Sequence, residues 1–310
     1  MDYISIPFGY VLRYILEFVG SYGFSIILFT ILTKLLILPL SIKSKSAMID
    51  VQRIQPKLKD LQKKYATDRQ RYQQEVERLY KAEGVNPAGS CLPTLITFPI
   101  MIGLYYVIVR PLSFLMLLTP LQISQVAERL GMDMSKIIGA HLNVIEIGVA
   151  NALQGNLSKV ADISSNIFEI HFNFLGLNLA ATPQWNPSNP DFSLVLLIIP
   201  VLSGITAFLM SHITMKMQEK ITGGPMQGGQ NTAMMMYMMP LMSVWFSFMF
   251  PTGVGLYWIA SNLFGAAQEY ALSKYFIKKM KKKEAELEEK KRKKALKKEL
   301  EASKEEKTDE

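Results

Sequence analysis

The sequence predicts an all-α polytopic membrane protein with five transmembrane helices, N-terminus out and C-terminus in, and a helical hairpin in the cytoplasm. Two observations carry that prediction. Apolar residues make up 49% of the chain and the mean hydropathy is +0.17, yet they fall in separate blocks, several of them as long as the roughly 20 residues that a bilayer-crossing helix needs. The formal charge of +8 is concentrated in two segments beside those blocks, the asymmetry that sets membrane orientation.

The first span is placed at residues 21–41. Its run Tyr22 to Leu40 holds one full charge, Lys34, and a cation near a span's centre costs about 2.5–3.5 kcal/mol on insertion scales. Such a residue is expected to face a bundle interior or a hydrated cavity. Before this span, residues 1–20 carry Tyr3, Phe8, Tyr10, Tyr14 and Phe18 beside Arg13 and Glu17, the pattern of an amphipathic helix lying in the outer interface. They lack a basic n-region, a small-residue cleavage site and a lipobox cysteine, so the segment is expected to stay on the protein.

After Pro39 the sequence turns polar, and residues 42–90 read as the cytoplasmic hairpin. Its two arms show apolar positions at helical spacing: Ile54, Leu58, Leu61 and Tyr65, then Tyr72, Val76 and Leu79. Pro56 falls at the start of the first arm, Thr67 with Gln70 forms a weak capping box for the second, and Gly84 ends it. Eleven Lys or Arg residues lie between Lys43 and Lys81, which places the hairpin inside.

The second span is residues 91–118, interrupted by Pro93, Pro99 and Arg110-Pro111. Arg110, about 27 Å along at 1.5 Å per residue, is expected to snorkel to the outer interface. Residues 119–191 form the extracytoplasmic loop, with three basic residues, Arg129, Lys136 and Lys159. Apolar positions around Ile137 to Leu153 predict one or two amphipathic helices there. The third span is residues 192–212, with Pro200 as a kink. A cytoplasmic loop, 213–232, holds Lys216, Lys220 and a glycine run, and the fourth span, 233–250, is rich in methionine. Methionine suits surfaces that bind many apolar partners; a lipid-facing helix has the same composition. An outer turn at 251–255 leads to the fifth span, 256–275, where Ser261 and Gly265 form a small-xxx-small face. Residues 276–310 are a basic cytoplasmic tail.

Neither redox nor metal chemistry is expected. Cys91 is the single cysteine, and His141, His171 and His212 are not at ligand spacing. No nucleophile–base pair or phosphate loop is visible, so the chain reads as a non-enzyme with no cofactor.

The string Leu79-Tyr80-Lys81-Ala82-Glu83-Gly84-Val85-Asn86-Pro87-Ala88-Gly89-Ser90-Cys91-Leu92-Pro93, with Phe98-Pro99-Ile100 and Leu104-Tyr105-Tyr106 after it, resembles the YidC membrane protein insertases of the Oxa superfamily. So do Thr30 to Leu40, Gln55-Pro56-Lys57, Phe174-Leu175-Gly176-Leu177, Leu256-Tyr257-Trp258-Ile259 and Ser261-Asn262-Leu263. The resemblance, to a short form without a large periplasmic domain, covers nearly the whole chain. It implies a five-helix core around a hydrophilic groove, open to the cytoplasm and to lipid, in a multi-pass protein of the bacterial cell membrane. It further implies that Lys34 receives hydrophilic or acidic parts of nascent membrane proteins while the apolar client helix leaves along a slide.

Groove candidates beside Lys34 are Thr30, Thr33, Ser203, Thr206, Trp258, Asn262, Gln268 and Glu269; slide candidates are Met235, Met239, Met242, Ile100 and Leu104. Two departures from the family pattern stand out: a lysine where arginine is typical, which cannot offer a planar fork, and the absent lipobox. The protein is expected to work as a monomer, with the Sec translocon and the ribosome as further partners. The tail suits ribosomal RNA or anionic headgroups, and also reads as a solvated helix. Counting about fourteen residues down each span puts Lys34 and Glu269 at the same depth, roughly 21 Å, so Glu269 is expected to pair with Lys34 or else to snorkel to the headgroups. An anion transporter or channel using Lys34 is the alternative function; five spans do not divide into two equal inverted halves.

Overall fold

The computed structural model describes residues 2–86, 88–132, 142–190, 192–222 and 230–306. Helix α1, Asp2–Val19, is followed by α2, Tyr22–Arg53, and the two turn at Gly20, whose φ of 71° suits glycine. Gly9 brings α1 close to the bundle: a Cβ there would lie 1.9 Å from the Phe114 carbonyl oxygen.

Helix α2 does not stop where the composition changes. It continues past Pro39 to Arg53, 32 residues in all, about 48 Å, well beyond the roughly 30 Å hydrocarbon thickness. The hairpin arms follow as α3, Gln55–Lys64, and α4, Arg69–Ala82. Pro56 sits in the first turn of α3, and Gly84, at φ 64°, follows α4. The α4 N-cap is Asp68, whose side chain accepts from the Arg71 N–H at 2.9 Å. The expected box from Thr67 is therefore off by one residue, because the carboxylate is the better acceptor for the free N–H.

Helix α5, Ala88–Val109, leads through Arg110 into the short α6, Pro111–Phe114. In the following loop, α7, Pro120–Arg129, begins with a complete capping box between Thr119 and Gln122. Helix α8 is Leu142–Ala152; the stretch from Ile137 that was expected to be helical lies partly outside the described residues. The chain is not purely helical, since Asn173–Phe174 and Leu177–Asn178 form a two-stranded antiparallel hairpin, β1 and β2. Its turn has Leu175 at φ 52° and Gly176 at φ 80°, the left-handed pair of a type I′ turn.

A 3₁₀ turn, Leu194–Leu197, enters α9, Ile198–Thr222. Helix α10 is Gln230–Ser247, and α11 runs from Thr252 to Glu306, so the segment expected as a fifth span and most of the expected tail are one helix. The expected glycine run of the preceding loop lies outside the described residues. The first amides of α11 are capped from the loop after β2: Thr252 N–H donates to the Ala181 carbonyl at 2.8 Å and Gly253 N–H to that of Leu179 at 2.9 Å.

Two helical segments, Tyr22–Arg53 and Leu194–Ile221, are long and apolar enough to cross a membrane among the described residues. Helix α11 packs along α9 and α2, and α5 lies against α1 and α2.

Among the described residues, buried apolar side chains gather in two clusters. The larger gathers Leu12 of α1, Ile26 and Phe29 of α2, Leu104 and Ile108 of α5, Phe114, Phe172 and Val254. The smaller joins Ile49 of α2, Ile221 of α9 and Phe276 of α11. Along both α2 and α11 the stretch between these clusters is where polar side chains face inward.

Candidate functional site

A cavity of about 330 Å³ lies between the two apolar clusters. Helix α2 lines it with Thr33, Lys34, Ile37, Ser41, Ser44, Lys45 and Met48, residues spaced to recur on one helix face. Helix α11 contributes Tyr257, Gly265, Gln268, Glu269 and Leu272, and α5 and α9 add Ile100 and Met210. The walls are polar where α2 meets α11 and apolar where α5 and α9 close the sides.

Lys34 points at α11 where Gly265 leaves room: its Nζ lies 4.0 Å from the position a Cβ on Gly265 would take, beside Met210 Cε at 3.4 Å. The neighbouring hydroxyls do not serve as its partners. Thr33 donates to the Phe29 and Thr30 carbonyls at 3.0 and 2.9 Å, and Thr30 to Ile26 at 2.7 Å. Among the described residues Lys34 has no hydrogen bond or ion pair.

Glu269 faces the same cavity but is not the counter-ion of Lys34. Its Oε1 accepts from Lys45 Nζ and, at 3.0 Å, from the Ser273 hydroxyl. The pair is well enclosed, the Lys45 side chain being 4% exposed and Glu269 14%. The expected pairing is displaced because Lys34 reaches α11 at Gly265, one helical turn before Glu269. Packed helices that cross at an angle do not keep equal residue counts at equal height. Lys45, which the sequence placed in the hairpin, thus lines the cavity.

The remaining candidates separate into other settings. Ser203 shares a 2.6 Å hydroxyl contact with Ser243 of α10, and Thr206 donates to Leu202 at 2.8 Å while accepting from Asn262 at 3.4 Å. These four side chains form a polar seam between α9, α10 and α11 and do not line that cavity. Trp258 stacks within an aromatic group, 5.7 Å from Phe246 and 5.9 Å from Phe250.

Of the slide candidates, Ile100 lines the cavity and Met242 is exposed. Leu104 is fully buried in the larger apolar cluster, packed too deeply to offer a surface. Met235 and Met239 lie on α10, and their side chains are outside the described set.

Arg110 also departs from its expected part. Its Nε donates to Glu146 Oε1 at 2.9 Å, and Glu146, only 1% exposed, accepts from the Ser113 N–H and hydroxyl at 2.8 and 2.6 Å. The guanidinium ties the loop helix α8 to the end of α5 instead of reaching freely to an interface.

On the loop surface, the Arg129 guanidinium bonded to Asp162 holds that carboxyl below the usual aspartate range.

Residues 14–283 match the family described as 60Kd inner membrane protein. The chain is 28% identical over 282 residues to the membrane protein insertase MisCA of Bacillus subtilis, covering 89% of this chain and 80% of that protein. It is 29% identical over 279 residues to the membrane protein insertase YidC 1 of Listeria monocytogenes, covering 88% and 72%. A longer relative, the membrane protein insertase YidC of Nitratidesulfovibrio vulgaris, is 29% identical over 272 residues, which span 86% of this chain and 38% of that one. With the match extending over most of its length, the chain belongs to the 60Kd inner membrane protein family.

Proposed function

We propose that the chain is a membrane protein insertase whose cavity between α2 and α11 receives the hydrophilic flank of a nascent membrane protein. The observation that carries this reading is Lys34: a lysine inside a long apolar helix, without a partner among the described residues, on the wall of a partly polar cavity. A cation in that setting is stabilised when a carboxylate or hydrated polar segment enters beside it, because attraction between charges strengthens as the surroundings become less polar.

No covalent step is involved. Insertion is driven by moving apolar client surface into lipid, at about 25 cal/mol per Å², while the groove shortens the hydrocarbon path of the polar flank. In this reading five helices cross the bacterial cell membrane, N-terminus out and C-terminus in, with α3 and α4 in the cytoplasm. The exposed side of α10 near Met242 and the α5 wall at Ile100 serve as the exit slide. Clients come directly from a ribosome that meets the basic end of α11, or from beside the Sec translocon.

Reconstituted vesicles test the proposal. Photo-crosslinkers at positions 37 and 41 are expected to capture a ribosome-stalled client, and the released client is expected to become protease-protected without ion flux. Anion flux with no client capture would establish the transporter alternative.

A further inference from the structure

Lys34 is not the only cation on the cavity wall. Lys45 is eleven residues further along α2, which at 3.6 residues per turn brings it back to within about 20° of the same face and about 16 Å along the axis. Both line the one cavity, together with the carboxylate of Glu269. Resting on the insertase reading above, we propose that Lys45 is a second client-binding cation, held by Glu269 until a carboxylate of the client takes Glu269's place.

The chemistry of the pair favours exchange over simple opening. Lys45 is almost fully enclosed, and a buried ion left without its partner is strongly unfavourable. A neutral segment therefore leaves the pair closed, because it offers nothing to replace the lost charge. An acidic segment replaces like with like: Lys45 keeps a carboxylate, and the Ser273 hydroxyl still donates to the displaced Glu269. Selectivity then comes from the penalty imposed on the wrong client.

The order along α2 gives a sequence of events. Lys45 lies toward the smaller cluster at Ile49, and Lys34 toward the larger one at Phe29. A flank entering from the Ile49 side exchanges first at Lys45 and then reaches Lys34. A client with two acidic residues about five apart spans both lysines when extended, at about 3.3 Å per residue.

Carbodiimide coupling reads the exchange directly, since it joins a carboxylate to a contacting lysine amine as an amide with loss of water. In the full chain in vesicles without client, mass spectrometry should find Lys45 joined to Glu269. With a stalled client carrying two acidic residues, that product should fall at least about fivefold and Lys45–client and Lys34–client products should appear. A matched client with glutamines should leave the Lys45–Glu269 product unchanged. Independently, Glu269→Gln should raise the Lys45–client yield severalfold.

An unchanged Lys45–Glu269 yield while Lys34 couples to the acidic client overturns the exchange and leaves the insertase reading standing. Failure of Lys45 to couple to Glu269 in the client-free protein overturns the pair. Absence of client coupling at either lysine overturns the insertase reading and this inference together.

Discussion

Replacing Arg110 with methionine should loosen the loop helix α8 without disturbing the cavity between α2 and α11. In the native fold Glu146 is 1% exposed and takes three hydrogen bonds, one from Arg110 and two from Ser113. Arg110→Met leaves the carboxylate buried with only the Ser113 donors. Removing one partner of a buried ion pair costs about 3–5 kcal/mol; with Arg110 partly exposed and Ser113 still bonded, about 3 kcal/mol is expected. Local opening of α8 then becomes about 100-fold more frequent. Hydrogen exchange in vesicles should show the amides of α8 exchanging about 100-fold faster, with α9 and α11 unchanged. Arg110→Met combined with Glu146→Met removes both charges and takes the acceptor from the Ser113 N–H and hydroxyl; the hydroxyl of this half-buried side chain can turn to a backbone carbonyl or water, leaving a cost of about 1 kcal/mol for the N–H, so exchange should return to within about tenfold of the native protein. An α8 rate raised less than about threefold in the single variant, or equal acceleration in α9, would refute the view that this pair holds the loop on the bundle.

Three further outcomes follow from the cavity and the hairpin. Lys34→Arg should retain insertion, while Lys34→Ala should lower it for clients with acidic translocated flanks and spare neutral ones; equal insertion of both classes by Lys34→Ala counts against electrostatic reception. Gly265→Ala adds a methyl at ordinary contact distance from Met210 and Lys34 and should be tolerated, whereas Gly265→Leu fills the space before Lys34 and should abolish client crosslinking from position 37. Asp68→Ala should cost about 1 kcal/mol of α4 stability, seen as roughly fivefold faster exchange in its first turn, and Thr67→Ala should leave that exchange unchanged.

Helical character, the charged residue in α2 and the two-armed hairpin were legible because each depends on local pattern. Element ends were less so. The change to polar residues after Pro39 marks a change of solvent, but the i→i−4 hydrogen bonds that propagate a helix do not depend on hydropathy. Helix α2 therefore runs on to Arg53 and α11 to Glu306. This is why Lys45 escaped notice as a groove residue, although its spacing from Lys34 was available. Partners distant in sequence were illegible for another reason: nothing local to Arg110 indicates Glu146, 36 residues later, and equal residue counts did not reveal that α2 and α11 are offset by one turn.

Polarity within a helix was also an incomplete guide to the groove. Thr30, Ser203 and Thr206 are as polar as Thr33 and likewise buried, yet Thr33 lines the cavity and they do not, Thr30 being bonded to its own helix and Ser203 and Thr206 tied into the seam. What distinguishes the cavity is the pair of apolar clusters bounding it and their unequal size. The larger cluster packs residues from α1, α2, α5, α6, the loop between α6 and α9, and α11, and parting it would expose many side chains at about 1.5–3 kcal/mol each. At the other end Ile49, Ile221 and Phe276 are the buried members among the described residues, so separating α2, α9 and α11 there exposes about three side chains, on the order of 5–9 kcal/mol on the same scale. An incoming apolar helix can offset much of that cost by covering the same surfaces. On the insertase reading proposed above, the end expected to yield to a client is therefore the one at Ile49, next to Lys45, while the larger cluster at Phe29 is expected to hold together.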